Sequence, residues 1–182
     1  MNLVEKVKQV VTPANLISIS RPLIAWYGIS HFSDKPVYLS LTLAAAFATD
    51  ALDGVLARYF KQDKGIGTYV DIAADRSLEL LTLWHFALVG EISYAFPIIF
   101  SVKGAVTDYL RISRDLKRKD FSKPLKYGGN DKRSQRFLYA LSKAVFICGI
   151  PVFNSLANNV FGIIAVAYGI YRSGWVFLDR QD

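Results

Sequence analysis

Apolar residues recur along this chain in six long runs, separated by short polar or turn-forming breaks. The runs lie near Ala14–Phe32, Val37–Tyr59, Ile66–Val89, Ser93–Ile112, Phe137–Phe153 and Ala157–Leu178. Each is about long enough to cross a hydrocarbon core as a helix. The breaks carry Asp34-Lys35-Pro36, Asp63-Lys64-Gly65, Gly90-Glu91, a long basic stretch and Asn154-Ser155. Ahead of the first run, Leu3, Val4, Val7 and Val10 alternate with Glu5, Lys6, Lys8 and Gln9 at helical spacing. That suits a short amphipathic helix on a membrane surface, ended by Thr12-Pro13. The pattern predicts an all-α integral membrane protein. Residues 14–182 form one domain of six transmembrane helices, and residues 1–13 form a juxtamembrane segment.

Composition agrees with this layout. The chain has 182 residues, of which 52% are hydrophobic, and a mean hydropathy of +0.25. The formal charge of +7 is bunched, since ten Lys or Arg stand against three acids between Arg111 and Arg136. A basic loop between apolar segments points to cytoplasm, anionic lipid or a phosphorylated substrate rather than to nucleic acid. With the N-terminus in the cytoplasm, the inside regions hold Lys6, Lys8, Arg58, Lys61, Lys64, the ten basic residues, Arg172 and Arg180; the outside loops hold only Lys35. The asymmetry predicts a cell-membrane protein with both termini and its charged chemistry on the cytoplasmic side. The first residues lack the basic start, short apolar core and cleavage site of a signal peptide. The single cysteine, Cys148, can form no internal disulfide and, with no clustered histidine, no zinc site.

The chemistry is concentrated between residues 50 and 75, in the pattern Asp50-x-x-Asp53-Gly54-x-x-Ala57-Arg58, eight residues, then Gly67-x-x-x-Asp71-x-x-x-Asp75. Asp50 and Asp53 share one helix face, as do Asp71 and Asp75. A short connection makes the two helices antiparallel neighbours, so the carboxylates can converge at the cytoplasmic end. Intramembrane carboxylates need compensation. Arg58 and Arg76 could each neutralise one of them, but not all four. One or two hard divalent cations, Mg2+ or Mn2+, are the natural partners. Carboxylate-held metal suits phosphoryl transfer. Gly54 and Gly67, and less fully Ala57, let a bulky ligand approach the backbone. Arg58 can make a bidentate contact to phosphate.

This pattern resembles the signature of the CDP-alcohol phosphotransferases, and every signature position is filled. The six-helix layout is similar too, so the likeness covers nearly the whole chain. The resemblance implies transfer of a substituted phosphate from CDP-diacylglycerol, or a similar CDP-linked lipid, to an acceptor hydroxyl, with release of CMP. It further implies two metal ions per subunit on Asp50, Asp53, Asp71 and Asp75, with Asp75 as general base. It places Gly54 and Arg58 at the nucleotide and its diphosphate, and it implies a homodimer. Asn15-x-x-Ser18-x-x-Arg21 resembles the family's N-x-x-T-x-x-R, with Ser in place of Thr, so Asn15 and Ser18 are candidates to read the cytosine edge; interhelical hydrogen bonding is the other reading.

The acceptor is expected to be a phosphorylated polyol. Arg111, Arg133, Arg136 and Arg172 form a guanidinium set suited to an acceptor phosphate. A solvated, lipid-seeking loop accounts for Lys117, Arg118, Lys119, Lys123 and Lys126, but not for Arg172 inside an apolar run. Gly128-Gly129-x-x-x-Arg133-x-x-Arg136, with Tyr109-x-Arg111 before it and Asp75-Arg76 upstream, is similar to phosphatidylinositol-phosphate synthases. Asp131-Lys132-Arg133-x-Gln135 is similar to phosphatidylglycerophosphate synthases, but the second aspartate pair reads Asp71-Ile72-Ala73-Ala74-Asp75-Arg76 rather than their D-P-x-A-D-K. Inositol 1-phosphate is therefore favoured over glycerol 3-phosphate. An archaeal-type lipid donor and CDP-inositol stay open. Intramembrane prenyltransferases also use paired aspartate motifs, but they leave Arg58 and Gly67 unexplained. A cation transporter leaves the glycines and the arginines unexplained. Trp26, Tyr27, Trp84 and Trp175 are read as interface anchors and packing. His31 and His85 are assigned no role.

Overall fold

The computed structural model describes residues 12–59, 65–116 and 133–178. Within these, the side chains of residues 14, 50–68, 111, 114–116, 133–137 and 174–178 are outside the description. The amphipathic segment expected ahead of residue 12 and the centre of the basic loop lie outside the described residues. Six helices and no strand are found among the described residues. They are α1 (Pro13–Phe32), α2 (Pro36–Tyr59), α3 (Gly65–Leu88), α4 (Ala95–Leu116), α5 (Arg133–Gly149) and α6 (Ser155–Leu178). The chain divides into two compact units, residues 1–82 and 83–182, with the division inside α3.

Local chemistry sets the helix ends. Thr12 caps α1 by accepting from the Asn15 N–H at 3.3 Å, and Pro13 occupies the first turn, where its missing N–H is harmless. The end of α3 is closed by Gly90 at φ +83°, a left-handed conformation that favours glycine. There the Glu91 N–H donates to the Phe86 carbonyl at 2.9 Å, and the Gly90 N–H to the Ala87 carbonyl at 3.2 Å. Asn154 opens α6 by accepting from the Ala157 N–H at 2.9 Å. One turn on, buried Asn158 donates to the carbonyls of Ile150 (3.1 Å) and Phe153 (3.3 Å) in the segment that joins α5 to α6.

In the first unit α1 packs on α2, through buried Ala25, Leu39, Leu43 and Ala46. Gly28 permits the approach: a Cβ there would stand 2.8 Å from Thr42 Cγ2. In the second unit α6 packs on α4 and α5. Phe146 lies 5.4 Å from Phe96 and 6.2 Å from Phe100, ring centre to ring centre, and Gly162 leaves room for Phe96 and Phe146.

Polarity runs outward in reverse. On α1, Asn15, Ser18 and Arg21 are buried, while Leu16, Ile19, Leu23, Trp26 and Tyr27 are exposed. Glu79 and Thr82 on α3, Lys143 on α5 and Asn158 on α6 are also buried. Among the described residues no helix is long and apolar enough to cross a membrane, against the six crossings expected. On α1, α3, α5 and α6 the inward polar residues dilute the apolar content of the helix.

Candidate functional site

The first unit holds the carboxylate face. Asp71 and Asp75 lie one turn apart on α3, and α1 delivers a cation to both. Arg21 donates from one terminal nitrogen to Asp71 Oδ1 at 3.0 Å and from the other toward Asp75 Oδ1 at 3.5 Å. Its guanidinium is fully buried, whereas the Asp71 and Asp75 side chains are 48% and 35% exposed. The cation is therefore enclosed and the two carboxylates reach outward from it. Ser18 and Asn15 stand three and six residues before Arg21 and are buried with it.

Arg76 pairs with Glu79 on its own helix. Glu79 is buried and continues the Asp71–Asp75 spacing by one more turn. That spacing could have announced it; the sequence reading passed over it. Arg21 stood within the first-helix motif, but no local pattern revealed that it belongs to carboxylates fifty residues away.

Asp50, Asp53, Gly54, Ala57 and Arg58 fall in α2 and Gly67 in the first turn of α3, but their side-chain surroundings lie outside the described residues. The same is true of Arg111 on α4 and of Arg133 and Arg136 at the start of α5. Among the described residues no three ligating side chains come together as a metal site. The described donor set is the pair Asp71 and Asp75: hard, outward-reaching oxygens gathered around a positive charge, a set that fits Mg2+ or Mn2+.

The second unit holds a separate cationic cluster. Tyr139 on α5 is buried, and its hydroxyl pairs with the Lys103 ammonium of α4. Lys103 Nζ lies 3.9 Å from the Tyr139 ring centre, and the Arg172 guanidinium of α6 lies 5.3 Å from it. A Cβ on Gly169 would sit 2.5 Å from Lys103 Nζ and 3.0 Å from Tyr139. The bare backbone of α6 thus makes room for Lys103 and Tyr139. Arg172 was expected from its place in an apolar run; Lys103 and Tyr139 were not. Cation–aromatic contacts of this kind fix the direction in which a guanidinium presents its donors.

Two relatives in Mycobacterium tuberculosis strains, each described as "Probable phosphatidylglycerophosphate synthase", are 25% identical to this chain over 112 residues. The match covers 62% of this chain and 51% of each relative, so the chain spans about half the length of the curated relatives it matches. No solved structure matches. A family model described as CDP-alcohol phosphatidyltransferase matches residues 10–171, through both units and the whole aspartate motif. On that match the chain belongs to the CDP-alcohol phosphatidyltransferase family.

Proposed function

We infer that this chain transfers a phosphatidyl group from CDP-diacylglycerol, or a similar CDP-linked lipid, to a hydroxyl of a phosphorylated polyol, releasing CMP. The family uses CDP-alcohol donors and alcohol acceptors, and generally divalent metal ions. The observation that carries the reading is the complete aspartate motif, whose second pair, Asp71 and Asp75, reaches outward from a buried arginine.

In this reading Asp50, Asp53, Asp71 and Asp75 hold two Mg2+ or Mn2+ ions, which when bound supply charge neutralisation for the diphosphate and for departing CMP. Asn15, Ser18, Gly54, Ala57, Arg58 and Gly67 seat the nucleotide and diphosphate. The acceptor oxygen forms a bond to the lipid-side phosphorus, the phosphorus–oxygen bond to CMP breaks, and Asp75 takes the hydroxyl proton. Arg111, Arg133, Arg136 and Arg172 hold the acceptor phosphate. Arg172 is well suited, because the Tyr139 ring restricts its orientation.

The reading places residues 14–182 in the cell membrane as one catalytic domain of six helices. The site and both termini are cytoplasmic. Two features support it. The apolar stripe of α1 faces outward, which is unfavourable in water and favourable in lipid. Hydroxyls of Thr42, Ser77, Thr82, Ser101, Thr107 and Ser173 all donate to carbonyls one turn earlier, as polar groups in helices must where water is absent. A homodimer is carried over from the resemblance alone.

Inositol 1-phosphate is the proposed acceptor, on the basic motif around Arg133 and on Asp75-Arg76. Glycerol 3-phosphate is the second reading, favoured by the likeness to the two mycobacterial relatives described as probable phosphatidylglycerophosphate synthases. The purified chain with Mg2+ and CDP-diacylglycerol, offered inositol 1-phosphate, glycerol 3-phosphate and serine separately, is expected to release CMP fastest with inositol 1-phosphate. Faster release with glycerol 3-phosphate would select the second reading. Preference for serine would overturn the phosphate-binding role of the arginines.

A further inference from the structure

Arg21 is unlike the arginines that surround phosphates at a surface. It is wholly enclosed, it comes from a different helix than the carboxylates it meets, and its two terminal nitrogens are divided between Asp71 and Asp75. A buried guanidinium is costly unless matched by opposite charge and hydrogen bonds. Two carboxylates one turn apart on a helix repel each other unless a cation stands between them. Each group therefore answers the other's need before any ion arrives. The carboxylates are partly exposed while the arginine is not, so an ion approaches from the carboxylate side, and the guanidinium has no exposed face through which to leave.

We propose that Arg21 is the resident counter-charge of the Asp71–Asp75 pair: a positioning residue that holds the two carboxylates in register in the metal-free chain and keeps their grip on a divalent cation weak enough for exchange. The sign follows from the charges. An entering ion meets a pair already compensated by one fixed positive charge, so it is bound less tightly than by the same pair uncompensated. In return the pair is preorganised by the fork geometry of the guanidinium. The statement about the ion rests on the metal reading above; the statement about the metal-free chain does not.

The test uses the full chain, purified in detergent, stripped with chelator, and followed by thermal unfolding and by Mn2+ binding read from the magnetic-resonance signal of free Mn2+. Asp71→Asn is expected to melt lower than wild type without metal, by about 4 °C or more. Uncompensated, mutually repelling carboxylates would give the opposite sign. Arg21→Met is also expected to melt lower without metal and to bind Mn2+ on the order of tenfold more tightly. Arg21→Lys keeps the charge and is expected to hold Mn2+ within about threefold of wild type. A higher metal-free melting temperature for Asp71→Asn overturns the proposal, as does unchanged or weaker Mn2+ binding by Arg21→Met. Should Arg21→Met fail to fold, the sign of the Asp71→Asn shift decides. A wild-type chain that binds no Mn2+ removes the metal reading and the exchange role built on it, while the Asp71→Asn shift still decides the pairing.

Discussion

At Tyr139 two cations share one ring: Lys103 at the hydroxyl and ring face, Arg172 against the face at 5.3 Å. A guanidinium held over a ring in this way loses rotational freedom before its ligand arrives, which favours binding a phosphate in one orientation. Replacing it should cost acceptor binding and leave the donor untouched. Arg172→Ala is expected to raise the acceptor KM about tenfold to a hundredfold, with the CDP-lipid KM within about twofold of wild type. Steady-state kinetics with each substrate varied in turn checks this; equal changes in both KM values would deny Arg172 its acceptor role. The aspartates of the second motif were legible because spacing alone places positions four apart on one helix face. Their counter-ion was not legible, because Arg21 meets Asp71 across a separation of fifty residues and the contact exists only once α1 lies beside α3.

Between elements, small residues decide how closely the helices approach. On α1, Gly28 faces Thr42 and Leu39 of α2, and the hypothetical Cβ contacts of 2.8 and 3.1 Å to Thr42 leave no space for a larger side chain. Gly28→Val must push the helices apart or force Thr42 from its rotamer, which breaks the Thr42 bond to the Tyr38 carbonyl. A loss of about 1–3 kcal/mol is expected, seen as a fall in melting temperature with no change in helix content; an unchanged melting temperature would show that the helices are not in contact there. The six helices were readable from their apolar runs, but their ends were not equally so. The fourth was expected over Ser93–Ile112 and runs Ala95–Leu116; the fifth was expected over Phe137–Phe153 and runs Arg133–Gly149. In the fifth, Arg133, Gln135 and Arg136 are polar yet good helix formers, so the helix starts before the apolar run does. Pro151 cannot continue it past its apolar stretch. Hydropathy marks the buried length of such a segment, whereas capping and backbone chemistry set its ends.

Across the molecule, apolar residues face outward on α1 while Asn15, Ser18, Arg21, Glu79, Lys143 and Asn158 are enclosed among helices. The sequence displayed the apolar runs but not this inversion. Periodicity shows that a helix has two faces without saying which one is inside. The inversion agrees with the proposed reaction, in which the lipid tails stay in the bilayer while CMP leaves into water. The family match assigns the chain to its family; the reaction and the side chains that perform it are the proposal. CMP release from CDP-diacylglycerol by the purified chain, with inositol 1-phosphate as acceptor, tests that proposal most directly when wild type and Asp71→Asn are compared before and after chelation. The account predicts CMP formed in equal amount with the phosphatidyl product by wild type, lost on chelation, restored by Mg2+ or Mn2+, and reduced by at least about a thousandfold in a folded Asp71→Asn chain. CMP release that survives chelation, or near-wild-type turnover by Asp71→Asn, would contradict it.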